Sequence, residues 1–146
     1  MDKLKVLFLC TGNSCRSQMA EAWARHFKSD VLEPYSAGVE PHGLNPNVHE
    51  VMAEAGVDTS GQRSKHVDEL KEIAFDYVVT VCDHAHESCP VFLGSPHVVH
   101  VGFDDPPRLA KGAKTRQEEL ANYRRVRDEI KVFVEQLPDK LHDLRY

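Results

Sequence analysis

The chain has 146 residues, 41% of them hydrophobic, enough for one domain spanning residues 1–146 around a sizeable buried core. Its formal net charge of −5 argues against a general nucleic-acid binder, although a few amides and one arginine can still hold a small anion. No apolar stretch approaches membrane-spanning length, and no repeat or low-complexity tract interrupts the chain.

The opening "MDKLKVLFLCTG" has lysines before an apolar run, as a signal peptide does. That run, Val6 to Cys10, is too short for a signal's apolar core and leads into Gly and Asn. It reads instead as the end of a first buried strand, Lys5 to Cys10. A helix follows from Arg16 to about Lys28, set by the spacing of Met19, Ala20, Trp23 and Phe27. "VLEPYSAG" (Val31 to Gly38) is a second strand, at an edge because Pro34 removes a ladder donor. "NPNVHEVMAEAG" is a helix with Asn45 as N-cap, Pro46 at its first position and Gly56 as terminator. A short helix is expected over Val67 to Ile73. A third strand, Asp76 to Cys82, and a fourth, Pro96 to Phe103, come next. Thr115 and Glu118 form a capping box opening a long helix, with Leu120, Tyr123, Ile130, Phe133, Val134 and Leu137 on one side.

This alternation predicts an α/β fold with a four-stranded parallel sheet flanked by helices on both faces. In such sheets ligands bind at the carboxyl ends of the strands. Cys10, Cys82 and Asp105 all fall at or just beyond such ends.

The segment Cys10-Thr11-Gly12-Asn13-Ser14-Cys15-Arg16 joins the first strand to the first helix. Successive N–H groups of a turn at a helix start converge into an anion-binding nest. Gly12 and Asn13 tolerate the left-handed backbone that a tight loop needs. Arg16 adds a planar fork for two oxygens of a tetrahedral oxyanion. The same positive surroundings favour a thiolate at Cys10, with Ser17 as a further hydrogen-bond donor. The loop therefore combines a nucleophile with a cradle for the group it attacks. Cys15, at the helix start, reads as a packed and inert residue. The four cysteines point to chemistry or metal in a cytosolic protein, where thiols stay reduced.

"CTGNSCRSQMAE" resembles the C-x5-R-S loop of the low-molecular-weight protein tyrosine phosphatase fold. Its wording is closer still to the thioredoxin-coupled arsenate reductases built on that fold. The resemblance continues in order through "YSAGVEPHGLNP", "VVTVC", "ESCP", "GFDDPPR" and "RVRDEI". It implies that Cys10 attacks arsenic of arsenate and that Cys82 and Cys89 then complete a disulfide relay emptied by thioredoxin. Asp105, the aspartate directly before Pro106, is the implied general acid. Two thiols closing to a disulfide supply the two electrons that arsenite formation needs, so no cofactor is expected. Neither a nucleic acid nor a membrane is an expected partner, and nothing calls for more than a monomer.

Three further readings attach to the same residues. Cys82, His84, His86 and Cys89 form C-x-H-x-H-x2-C, a cramped frame for a closed zinc site, and no specific metal is expected there. Some members of the resembled family bind potassium beside the loop, at positions matching Asn13, Glu21, Ser36 and Lys65. Here the fourth is a lysine, whose ammonium cannot ligate a cation and would repel one. Hydrolysis of aryl phosphate monoesters is the alternative activity, needing Cys10, Arg16 and Asp105 but neither Cys82 nor Cys89. "DDPPR" lacks the tyrosines with which the low-molecular-weight phosphatases grip an aromatic ring.

Overall fold

The computed structural model describes residues 3–82, 85, 89, 92, 94 and 96–144. Strand β1 (Leu4–Cys10) lies between β2 (Leu32–Gly38) and β3 (Tyr77–Thr80), and β3 carries β4 (His97–His100) on its far side. All three pairings are parallel, in the order β2-β1-β3-β4. The central position of β1 explains its unbroken apolar run: Val6, Leu7, Phe8 and Leu9 are fully buried. Pro34 sits on β2 at the sheet edge, where its missing N–H costs no ladder bond. The chain steps one way from β1 to β2 and the other way to β3, so a crevice opens at the carboxyl end of β1.

β3 and β4 are shorter than the apolar runs Asp76–Cys82 and Pro96–Phe103 suggest. Val81 N–H still reaches Leu9 O (2.9 Å) and Phe103 N–H reaches Val81 O (3.2 Å). Beyond that point β1 has turned into its loop and offers no further ladder partner.

Helix α1 (Arg16–Lys28) buries Met19, Ala20 and Trp23, while Phe27 stacks on Trp23 near the surface. Helix α2 (Pro46–Glu54) is capped by Asn45, whose Oδ1 accepts from Asn47 N–H (2.8 Å), and the chain leaves it through Gly56 at φ +83°. The segment after it forms only a four-residue 3-10 turn, Val67–Leu70, in place of a longer helix. A short α3 (Pro106–Leu109) precedes the long α4 (Arg116–Glu135), and α5 (Asp139–Asp143) follows. Thr115 Oγ1 accepts from Glu118 N–H (3.1 Å), a cap worth about 1 kcal/mol. The Glu118 carboxylate returns to Lys114 N–H (2.7 Å), one residue outside the reciprocal box. Trp23 Nε1–H donates to Arg127 O (3.1 Å) and ties α1 to α4. Among the described residues no helix is long and apolar enough to cross a membrane.

Candidate functional site

The loop from Cys10 to Cys15 has every carbonyl engaged by the surrounding chain. Cys10 O accepts from Val39 N–H (3.2 Å), Thr11 O from Glu40 N–H (2.8 Å) and Gly12 O from His42 N–H (2.9 Å). Asn13 O takes Gln18 Nε2 (3.1 Å), Ser14 O takes Asn45 N–H (3.0 Å) and Cys15 O takes Met19 N–H (2.9 Å). The amides of Gly12, Asn13, Ser14 and Cys15 have no acceptor among the described residues. With its carbonyls committed to the scaffold, the loop presents its N–H dipoles to whatever lies inside it. The start of α1 adds to the same positive end.

Buried struts hold this shape. Asn13 takes φ +48°, the one positive φ of a non-glycine among the described residues. Its Nδ2 donates to Ser17 Oγ (2.8 Å), and its Oδ1 accepts from Gln18 Nε2 (3.0 Å) and Lys65 N–H (3.0 Å). The side chains of Asn13 and Ser17 thus meet each other inside the protein, and Ser17 makes no bond to the Cys10 sulfur. That differs from the sequence expectation: Ser17 is turned toward Asn13, from whose amide its oxygen accepts. Gln18, which nothing in the sequence singles out, also reaches Arg63 O (3.0 Å) and accepts from Gln62 Nε2 (2.7 Å). Its only signal is a large polar residue at a position of α1 that the loop covers. Gly38 permits the close approach of β2: a Cβ there would lie 2.6 Å from Thr11 O and 2.9 Å from Asn13 N.

Arg16 leans over the loop. Its Nη1 donates to Phe103 O (2.9 Å) and its Nη2 lies 3.7 Å from Asp105 Oδ1. Its Nε is the one buried side-chain nitrogen or oxygen among the described residues without a hydrogen-bond partner. A buried guanidinium N–H with no acceptor is costly unless a ligand supplies one. Of the aspartate pair, Asp104 turns to Arg125 Nη2 (3.1 Å), and Asp105 is the one that approaches Arg16. A cavity of about 210 Å³ is bounded by Cys10, the loop, Arg16, His42 and Asp105. A larger one, about 660 Å³, shares Arg16 and Asp105 and extends to Cys82.

Cys10 closes β1 and Cys82 lies two residues past β3, close enough for each thiol to act on the other's ionisation. Thr11 Oγ1 lies 3.1 Å from Cys82 Sγ. The pull on the two thiols runs in opposite directions. The neighbouring Cys82 thiol and burial hold the Cys10 thiol well above its ordinary value, although Arg16 pulls the other way. The Cys10 thiol brings Cys82 down to about 5 against the cost of its burial, with Thr11 helping. The sequence expectation placed the anion on Cys10. Sequence carries no sign that Cys82 would stand close enough to take it. Burial pushes Cys15 up to about 11, in keeping with an inert thiol, and raises Cys89 as well. Cys89 is half-buried, and all four cysteines are free thiols. His84 and His86, the other two members of the zinc-like quartet, lie outside the described residues.

Beside the loop, Lys65 Nζ donates to Ser36 O (2.9 Å) and Arg63 O (3.0 Å). Ser36 Oγ donates to Glu21, whose other carboxylate oxygen takes Arg25 Nη2 (2.6 Å). An ammonium already sits on the carbonyl oxygen that a cation would need, so these residues do not fit a potassium ion.

Residues 5–145 match the family model for low-molecular-weight phosphotyrosine protein phosphatases. An arsenate reductase of Bacillus subtilis is 50% identical over 132 residues, covering 89% of this chain and 91% of that one. A solved arsenate reductase in a phosphate-binding state superposes with a TM-score of 0.73 at 30% identity, over 94% of this chain and 98% of the other. A thioredoxin-dependent arsenate reductase of Corynebacterium glutamicum superposes with a TM-score of 0.69 at 26% identity, over 97% of this chain and 63% of that one.

Proposed function

This chain belongs to the low-molecular-weight phosphotyrosine protein phosphatase family, and we propose that within it the protein is an arsenate reductase. The observation that carries the reading is the second sulfur: Cys82 Sγ lies 3.1 Å from Thr11 Oγ1 at the rim of an oxyanion loop, where phosphoester hydrolysis has no use for it. The naming of relatives at about half identity supports the same substrate.

In the proposed reaction the loop amides and Arg16, including its unpartnered Nε, bind arsenate. The Cys10 sulfur attacks arsenic, forming an S–As bond as an As–O bond breaks. Asp105 hands a proton to the departing oxygen, which leaves as water, and the proton given up by Cys10 restores the balance. Cys82, still a thiolate, attacks the Cys10 sulfur. An S–S bond forms, and the S–As electron pair stays on arsenic, reducing As(V) to As(III), which departs as arsenite. Cys89 then attacks Cys82 and frees Cys10 as a thiol. The resulting Cys82–Cys89 disulfide is reduced by thioredoxin in the cytosol, a step supported by the thioredoxin-dependent relative.

Cysteine replacement tests the scheme. Cys10→Ser is expected to abolish both arsenate reduction and hydrolysis of para-nitrophenyl phosphate. Cys82→Ser and Cys89→Ser should abolish multiple-turnover reduction with thioredoxin while the hydrolysis survives. Normal arsenate turnover in Cys89→Ser would eliminate the three-cysteine relay, and hydrolysis of para-nitrophenyl phosphate without any arsenate reduction by the unmodified protein would leave the phosphatase as the better reading.

A further inference from the structure

Each described arginine except one has a hydrogen-bonded or ionic partner. Arg25 holds Glu21, Arg63 holds Glu69 and Arg116 holds Glu50. Arg124 holds Glu54, Arg125 holds Asp104 and Arg127 holds Asp128, while Arg16 takes Phe103 O. Arg108, in the last turn of α3, has no side-chain partner among the described residues and is exposed. It lines the 660 Å³ cavity that shares Arg16 and Asp105 with the loop cavity as lining.

The charges at that mouth explain why an uncommitted cation is needed. Asp104, Asp105 and the Cys82 thiolate all face the larger cavity, and the chain as a whole is negative. An incoming dianion meets these before it reaches the amides. Arg125 offsets Asp104 and Arg16 approaches Asp105, which leaves Arg108 as the uncommitted positive charge lining this cavity among the described residues. We infer that Arg108 is the entry cation for the substrate oxyanion, drawing it through the larger cavity toward the loop.

This inference rests on the arsenate-reductase reading and adds an asymmetry to it. Arsenate is an anion at neutral pH, whereas arsenous acid is uncharged. A cation at the mouth therefore accelerates entry without retaining the product. Its action is long-range, so it must weaken as salt screens it, over about 8–10 Å at physiological ionic strength. A point charge suffices, so lysine should substitute for arginine here as it would not at a bidentate site.

Inorganic phosphate, which binds as an oxyanion without being reduced, is the probe. Its dissociation constant is to be measured by calorimetric titration at low and physiological ionic strength for the unmodified protein, Arg108→Met and Arg108→Lys. The expected result is roughly tenfold weaker binding in Arg108→Met at low ionic strength, a difference that shrinks with salt, and recovery in Arg108→Lys. With arsenate the same variants should differ in kcat/KM, the loss in Arg108→Met residing in KM. Equal affinities and equal salt dependence in all three proteins would overturn the inference, as would a loss in Arg108→Lys as large as that in Arg108→Met. If the unmodified protein itself binds no phosphate, the oxyanion-loop reading fails and this inference falls with it.

Discussion

The ends of β1 and β3 lie side by side in the sheet and each carries a buried cysteine, yet they are built in opposite ways. After Cys10 the chain enters a loop whose carbonyls are all bonded and whose side chains serve as struts. Cys82 lies past the last ladder residue, and its sulfur is approached by the Thr11 hydroxyl, the Cys10 thiol and the Ala85 backbone N–H. The thiol at the end of β1 is pushed up and the one beyond β3 is pulled down. For Cys10 the neighbouring Cys82 thiol and burial outweigh the pull of Arg16. In the two-step reaction Cys10 must still give up its proton to attack, whereas the lowered Cys82 thiol is favoured as the second nucleophile.

The largest expected effect comes from removing either thiol of that pair. Above about pH 5, Cys82 is a thiolate and should alkylate rapidly; as pH falls through about 5, that reactivity should disappear. In Cys10→Ala the chief cause of the lowered value is gone, and Cys82 should titrate nearer an ordinary thiol. Its alkylation rate at pH 7 would then drop by roughly thirtyfold, by the fraction ionised. In Cys82→Ala the shift runs the other way: Cys10 loses what holds it up and becomes more reactive at neutral pH. Alkylation followed by mass spectrometry across pH reads both. If neither thiol responds to loss of the other, their mutual pull is not what separates the two strand ends.

A smaller effect tests the rigid side. Gly38→Ala would put a methyl group against Thr11 O and Asn13 N, both backbone atoms that cannot swing aside. A loss of about 1–3 kcal/mol in unfolding free energy is expected, with weaker phosphate binding as the loop is displaced. Gly61→Ala, where nothing lies within 4 Å, is the control and should cost little or even stabilise. Equal stability in the two variants would show that the loop is not held by the close approach of β2.

The sequence makes one side of this comparison far more legible than the other. Short-range signals carry β1, α1, the Asn45 cap and the Thr115 cap, because each depends on residues a few positions apart. The loop and its arginine are visible for the same reason. The length of β3 depends on where a different strand turns away, and the charge on Cys82 depends on a neighbour 72 positions distant in the chain. Gln18 and the split of Asp104 and Asp105 between Arg125 and Arg16 likewise exist only after folding. The 3-10 turn at Val67–Leu70 shows the same limit, since helical residue types do not guarantee a second turn.

The smallest expected effect is an absence, and it concerns how the rigid side supplies its own electrostatics. Lys65 threads two parts of the scaffold together: its N–H binds Asn13 Oδ1, its carbonyl takes Gly38 N–H (2.9 Å) and its ammonium sits on Ser36 O. Burial lowers the lysine's pKa, and nearby Glu21 works against that shift. The ammonium is thereby kept next to the Glu21–Ser36 pair, where the family resemblance implies a cation site. A fixed positive charge built into the chain has no affinity to saturate, so the identity of the monovalent salt should not matter. Activity and melting temperature are expected to respond alike to sodium and potassium at equal ionic strength. A potassium-specific gain in either would mean that Lys65 yields its carbonyl ligands to the ion, and that the loop's support is not internal after all.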